Sequence, residues 1–129
     1  MAQYPIDEWE AAALEVQGRL RSTSVAPRFD GNPLEELAPE FASLIKTLVR
    51  GRSYADPTLD LKTRALCTVA CLVGMGEQPY IENWMGSAMA AGASREEIVE
   101  LLIQLFTYVG TAKAVTGFAA AKAVFDESG

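Results

Sequence analysis

Gly76-Glu77-Gln78-Pro79-Tyr80-Ile81-Glu82-Asn83-Trp84-Met85-Gly86-Ser87-Ala88-Met89-Ala90-Ala91-Gly92 is the stretch whose reading decides the fold. Pro79 suits a first helical position, where its missing N–H costs nothing, and Gly92 suits the left-handed stop after a last turn. Between them the spacing predicts one short helix over 79–91. Tyr80, Trp84 and Ser87 share a face of it at i, i+4, i+7 spacing. Gly86, Ser87, Ala88, Ala90 and Ala91 are small enough to let another backbone approach closely.

Working outward, the neighbouring segments also read as helix. Residues 61–73 are apolar nearly all the way round after Arg64, through Ala65, Leu66, Cys67, Val69, Ala70, Cys71, Leu72 and Val73. The run is longer than a typical strand, and Asp60 and Thr63 offer a helix start. A helix apolar on every side is expected at the centre of a bundle. Downstream, Ser94-Arg95-Glu96-Glu97 is a capping box, in which serine and glutamate each satisfy a first-turn N–H. It opens a helix over 95–108 with Ile98, Leu101, Leu102, Leu105 and Phe106 on its inner face. Gly110 ends that helix, and an alanine-rich helix over 111–125 follows. Upstream, residues 7–20 carry a Trp9, Ala12, Ala13, Val16, Leu20 stripe at helical spacing. Residues 22–32, with Pro27 and Gly31, read as a connector. A helix is expected over 34–49, restarting at Pro39, and a loop over 51–58.

No strand signal survives, so the fold class is all-α: a single-domain helical bundle of about six to seven helices with antiparallel neighbours. Within its 129 residues, 1–37 are read as an N-terminal helix and connector and 38–126 as the main domain. The formal charge of −6, without a Lys/Arg cluster, argues against nucleic acid and anionic membrane surfaces. No apolar stretch reaches the length of a membrane span. The opening Met1-Ala2-Gln3-Tyr4-Pro5 lacks a signal-peptide pattern, which makes cytoplasmic the expected location. Several helices carry more apolar surface than so small a monomer can cover, so a homo-oligomer of closed symmetry is expected.

Cys67 and Cys71 lie four apart, share a helix face, and do not form Cys-x-x-Cys. The simplest reading makes them small buried hydrophobes. The chain has no histidine, and no Cys-rich or carboxylate-rich cluster has zinc or calcium spacing, so no metal is expected.

An ordered set of motifs over about residues 38–126 resembles the carboxymuconolactone decarboxylase and alkylhydroperoxidase-like family. It comprises Leu59-Asp60-Leu61-Lys62-Thr63-Arg64, Gln78-Pro79, Gly92 with Ser94-Arg95-Glu96-Glu97-Ile98-Val99-Glu100, then Gln104, Tyr108, Gly110 and Ala121-Lys122-Ala123-Val124-Phe125. The resemblance implies an all-helical domain assembling as trimers or hexamers. It also implies a small-molecule pocket between the 61–73 helix and the Trp84 helix, often near a subunit boundary. In that family Trp84's position is usually a histidine used in proton transfer. Peroxidase-type members carry Cys-x-x-Cys-x-x-x-His where this chain has Glu77, Tyr80 and Trp84, and their relay glutamate falls at Ala65. A thiol peroxidase needs its thiols, so that activity is excluded at this site. Decarboxylase-type members often place an arginine where Asp56 stands, and Asp56 would repel an anionic dicarboxylate.

Lys113 is the sharpest candidate for chemistry. It falls in the first turn of the last helix, where the macrodipole disfavours a cation. Pointing inward, it could act as a base or attack a carbonyl as an amine; otherwise its ammonium simply reaches solvent. Glu77 can serve as general acid or base in an apolar pocket, or merely stabilise a helix N-terminus. Tyr80 and Tyr108 can donate hydrogen bonds to a substrate oxygen. Trp84 reads as a pocket wall stacking on a flat ligand, with Ser87 and Cys71 beside it in substrate binding.

The leading expectation is a cofactor-independent enzyme acting on a hydrophobic, carbonyl-containing small molecule by isomerisation, cyclisation or another proton transfer. Lys113, Glu77 and Tyr80 would be its catalytic groups. The alternatives are a non-catalytic ligand-binding or structural oligomer, and a decarboxylase with a relocated general acid.

Overall fold

Helical periodicity dominates the chain, and helices are what form. The computed structural model describes residues 3–20 and 33–127, and the connector read over 22–32 lies outside the described residues. The helices are α1 (Ile6–Arg19), α2 (Pro33–Leu37), α3 (Pro39–Lys46), a π-helix (Thr47–Tyr54), α4 (Leu61–Met75), α5 (Tyr80–Ala90), α6 (Arg95–Val109) and α7 (Thr111–Glu127). Among the described residues there is no strand. Described residues 3–19 and 33–61 form one compact unit, and Leu20 with 62–127 the other.

In the first unit, α1 lies against the π-helix. The α1 stripe is buried as its periodicity predicts, with Ala13 and Val16 inside and Trp9 and Ala12 half-buried. The helix expected over 34–49 restarts at Pro39 as read: two α-helices meet at Ala38, Pro39 opens α3, and the chain passes into the π-helix at Thr47. The expected loop over 51–58 is corrected, because helix continues through Tyr54. Gly51 explains both the misreading and the structure. A Cβ there would stand 1.9 Å from the Trp9 carbonyl oxygen, so glycine serves close contact with α1 and not a chain break. Asp56 closes the segment by accepting the Thr58 N–H at 2.9 Å.

The second unit is built on four helices. The inner face of α4 repeats every four residues as Ala65, Val69 and Val73, each fully buried. Ile81, Met85 and Ala88 of α5, Ile98 and Leu102 of α6, and Ala114, Ala120, Ala121 and Val124 of α7 complete the core. Each large member contributes roughly 2 kcal/mol by leaving water, before the cost of ordering the chain. The α7 helix packs on both α5 and α6. Gly117 makes that approach possible: a Cβ there would stand 2.7 Å from Leu102 Cδ2 and 3.3 Å from the Val73 methyls.

Polar contacts fix helix direction. Lys62 Nζ meets Glu97 Oε1 at 2.9 Å where α4 and α6 begin, and Gly74 faces Val109 where they end. These two helices therefore run parallel, with α5 between them in sequence. Consecutive α6 and α7 are antiparallel: Arg95 donates to the Phe125 carbonyl at 3.1 Å and lies 5.2 Å over its ring. The capping box forms as read, with Glu97 N–H donating to Ser94 Oγ at 3.0 Å and Ser94 N–H to Glu97 Oε2 at 2.9 Å. No helix among the described residues is long and apolar enough to cross a membrane.

Candidate functional site

The geometry of the candidate site starts from how α5 begins and ends. Pro79 occupies the N-cap and not the first helical position, because its carbonyl already accepts the Asn83 N–H at 3.3 Å. At the other end Gly92, at φ +107°, forms the expected left-handed stop. Its N–H donates to Met89 O at 3.0 Å and that of Ala93 to Ala88 O at 2.9 Å, which is a Schellman motif. Between these caps Ile81, Met85 and Ala88 take the core face. The Tyr80–Trp84–Ser87 face is turned to one side of it and opens toward the helix start. Ser87 is buried, Trp84 half-buried and Tyr80 47% exposed.

Lys113 reaches the last turn of α4, just ahead of the turn that leads into this helix. Its Nζ donates to the Gly74 carbonyl oxygen at 2.7 Å, three residues before Glu77. The first-turn position in α7 is as expected, and of the two orientations considered Lys113 takes the exposed one. The reason lies in a second helix. The C-terminal carbonyls of α4 carry the negative end of that helix's dipole, and a cation is stabilised there. Glu77 is exposed, its backbone N–H bonded to Leu72 O at 3.0 Å and its carbonyl accepting from Ile81 at 3.2 Å. Tyr108, in the last turn of α6, is 81% exposed.

The expectation that Cys67 and Cys71 are buried is likewise corrected, since both are exposed free thiols. Ala65, Val69 and Val73 take the inner face of α4, which turns Cys67, Cys71 and Met75 outward. Cys71 Sγ lies 3.7 Å from Met75 Sδ along that outer face. Among the described residues, no group of three or more Cys, Asp or Glu side chains is arranged to hold a metal ion.

Electrostatic perturbation is clearest at two other places. The Ser94 N–H and then the Lys62 ammonium hold the Glu97 carboxyl below its ordinary value. Burial pushes the Arg50 guanidinium below its own ordinary value, and Tyr54 pushes it partly back. Arg50 lines a cleft in the first unit that the sequence reading did not single out. The available signal was Ser43, Lys46, Thr47 and Arg50 recurring at i, i+3, i+4, i+7, half hidden by reading a loop from Gly51 onward.

Comparison with known proteins gives a consistent result. The chain is 28% identical over 101 residues to an uncharacterised 15.0 kDa protein from the nqo9–nqo10 intergenic region of Paracoccus denitrificans, covering 77% of this chain and 75% of that protein. It is 24% identical over 96 residues to the 4-carboxymuconolactone decarboxylase of Acinetobacter baylyi, covering 74% and 72% respectively. Residues 39–123 match the carboxymuconolactone decarboxylase family. The chain belongs to the carboxymuconolactone decarboxylase family, as a divergent member without a histidine.

Proposed function

We propose that this protein is a cofactor-independent enzyme acting on a hydrophobic carbonyl compound through an enolate, in an isomerisation, a cyclisation or a related proton transfer. The observation that carries the reading is Lys113 Nζ at 2.7 Å from the Gly74 carbonyl in the last turn of α4, three residues before Glu77 and six before Tyr80. An ammonium has three N–H donors, so one bond to Gly74 leaves two for a substrate oxygen. The carboxylate of Glu77 takes the proton from the carbon next to the carbonyl. Lys113 and Tyr80 donate to the oxygen on which negative charge develops, and the proton returns from Glu77 to a different carbon. Trp84 offers its half-exposed ring as a stacking wall, with Ser87, Cys71 and Tyr108 assigned to the remaining substrate contacts.

In the single chain Glu77, Tyr80 and Lys113 all meet solvent, and such chemistry is strongest where water is excluded. The proposal therefore includes a homo-oligomer, a trimer or hexamer, whose second copy covers the site. Met75, Ile103, Phe106 and Val115 are exposed apolar residues of the second unit that such a copy would bury. Two further readings rest on specific observations. The Acinetobacter baylyi relative is a 4-carboxymuconolactone decarboxylase, and decarboxylation can pass through the same enolate. The exposure of all three acid–base groups favours a non-catalytic ligand-binding oligomer.

The test is deuterium wash-in at carbons next to the carbonyl, followed by NMR for a panel of hydrophobic cyclic ketones and keto acids, with native mass spectrometry reporting subunit number. Enzyme-dependent wash-in that falls at least about 100-fold in both Lys113→Met and Glu77→Gln supports the reading. Release of carbon dioxide without wash-in favours the decarboxylase. A ligand that quenches Trp84 without any exchange favours the binding protein, and exchange that survives both substitutions overturns the assigned roles.

A further inference from the structure

The first unit contains a cleft of about 480 Å³ between α1 and the segment running from α3 into the π-helix. One wall is Glu10, Ala13, Leu14 and Gln17; the other is Ser43, Lys46, Thr47 and Arg50. Both follow i, i+3, i+4, i+7 spacing, so each wall is one complete helix face. The volume is within the range of small-molecule sites. The walls are held together at Gly51, whose α-carbon presses on the Trp9 backbone so closely that no side chain fits. A cleft with that support is formed before a ligand arrives.

Its chemistry is divided. Ala13 and Leu14 provide an apolar side, and Leu14 remains 78% exposed above it. The opposite wall supplies the Arg50 guanidinium, the Lys46 ammonium and the Thr47 hydroxyl. Arg50 is half-buried and Thr47 is 6% exposed. Partial burial of a guanidinium strengthens its attraction for an anion. The positive charge is tempered, since Glu10 also lines the cleft and Lys46 pairs with Glu35. That balance suits one negative charge better than two.

We propose that this cleft binds a small amphipathic monocarboxylate, its carboxylate on Arg50 and Thr47 and its short apolar chain along Ala13 and Leu14. The fork of a guanidinium matches the two oxygens of a carboxylate. The proposal concerns residues outside the Trp84 face and stands whether or not the reaction assigned there is correct.

Sodium octanoate, 1-octanol and inorganic phosphate, titrated into the full-length protein, test it by amide chemical shifts and calorimetry. Octanoate is expected to saturate, moving amides within residues 10–17 and 43–50. Octanol, with the same chain and no charge, should bind at least tenfold more weakly, and phosphate should not saturate over the same range. Arg50→Met and Leu14→Glu should each weaken octanoate at least tenfold with the helical circular dichroism retained. If Arg50→Met does not fold, Leu14→Glu at its exposed position carries the test alone. The proposal is overturned if octanoate moves other residues, if octanol or phosphate binds these as tightly, or if the folded variants bind octanoate like the unaltered chain.

Discussion

Gly51→Ala places a single methyl group where the structure has no room, and its cost can be worked from the geometry. The new Cβ would stand 1.9 Å from the Trp9 carbonyl oxygen, 2.6 Å from its carbon and 2.9 Å from its α-carbon. All three are backbone atoms, so no rotamer change relieves the clash. Restoring ordinary contact at 3.4 Å requires α1 and the π-helix to separate by about 1.5 Å. A gap of about 1 Å already forfeits up to half of the contact energy across an interface. Val16, Ala13, Thr47 and Tyr54 are buried residues of these two helices. Against the loss stands the helix-propensity gain of alanine over glycine, at most about 1 kcal/mol. The net expectation is destabilisation by about 2–4 kcal/mol, or roughly 10 °C in melting temperature for a chain of this size.

The same substitution elsewhere supplies the control. At Gly18, in the last turns of α1, nothing lies within 4 Å of the added methyl, so Gly18→Ala should stabilise by about 0.5 kcal/mol. At Gly117 the closest atom is the Leu102 Cδ2 side-chain terminus at 2.7 Å. Leu102 is fully buried but able to rotate, so Gly117→Ala should fall between the two, at about 0–2 kcal/mol destabilising. Urea unfolding followed by circular dichroism gives all three values. A Gly51→Ala protein within about 0.5 kcal/mol of the unaltered chain would refute the close approach of α1. It would also remove the support on which the preformed cleft depends.

Three further outcomes are expected. Ser94→Ala should cost about 1 kcal/mol in urea unfolding through loss of the α6 cap. Glu97 has a folded-state value held below the ordinary 4.5, so its contribution is complete above that pH and is lost as pH falls through the lowered value. The stability gap between the unaltered chain and Glu97→Gln should therefore narrow on acidification; a gap that is unchanged or wider at pH 3 contradicts the assignment. Cys67 and Cys71 should both react rapidly with a thiol reagent in any monomeric fraction and be protected in the oligomer if a second copy covers the outer face of α4, so equal rates in both would place the interface elsewhere.

Which features were legible in the sequence follows from where their causes lie. The Ser94–Glu97 box, the Gly92 stop and the break at Gly110 are decided within a few residues, and each formed as its local chemistry requires. Family motifs added the all-α architecture and the choice of Trp84, Glu77 and Tyr80 as residues to inspect. Gly51 is different because glycine has two opposite meanings, a break in a helix or a place where another backbone touches it. Only the position of Trp9 distinguishes them. The sidedness of α4 was hidden for a related reason. A helix apolar all round does not state which face its own chain will use, and Ala65, Val69 and Val73 won over Cys67 and Cys71 through the other helices that pack in the second unit. Lys113 shows how the same physics can be applied to too small a system. The dipole of α7 alone disfavours an ammonium in its first turn, but the antiparallel α4 ends beside it, and its Gly74 carbonyl supplies the opposite field at 2.7 Å. A charge near a helix terminus is therefore decided by every helix end within reach. For Lys113 that second end is the last turn of α4, three residues ahead of Glu77, and it holds the ammonium on the Gly74 carbonyl.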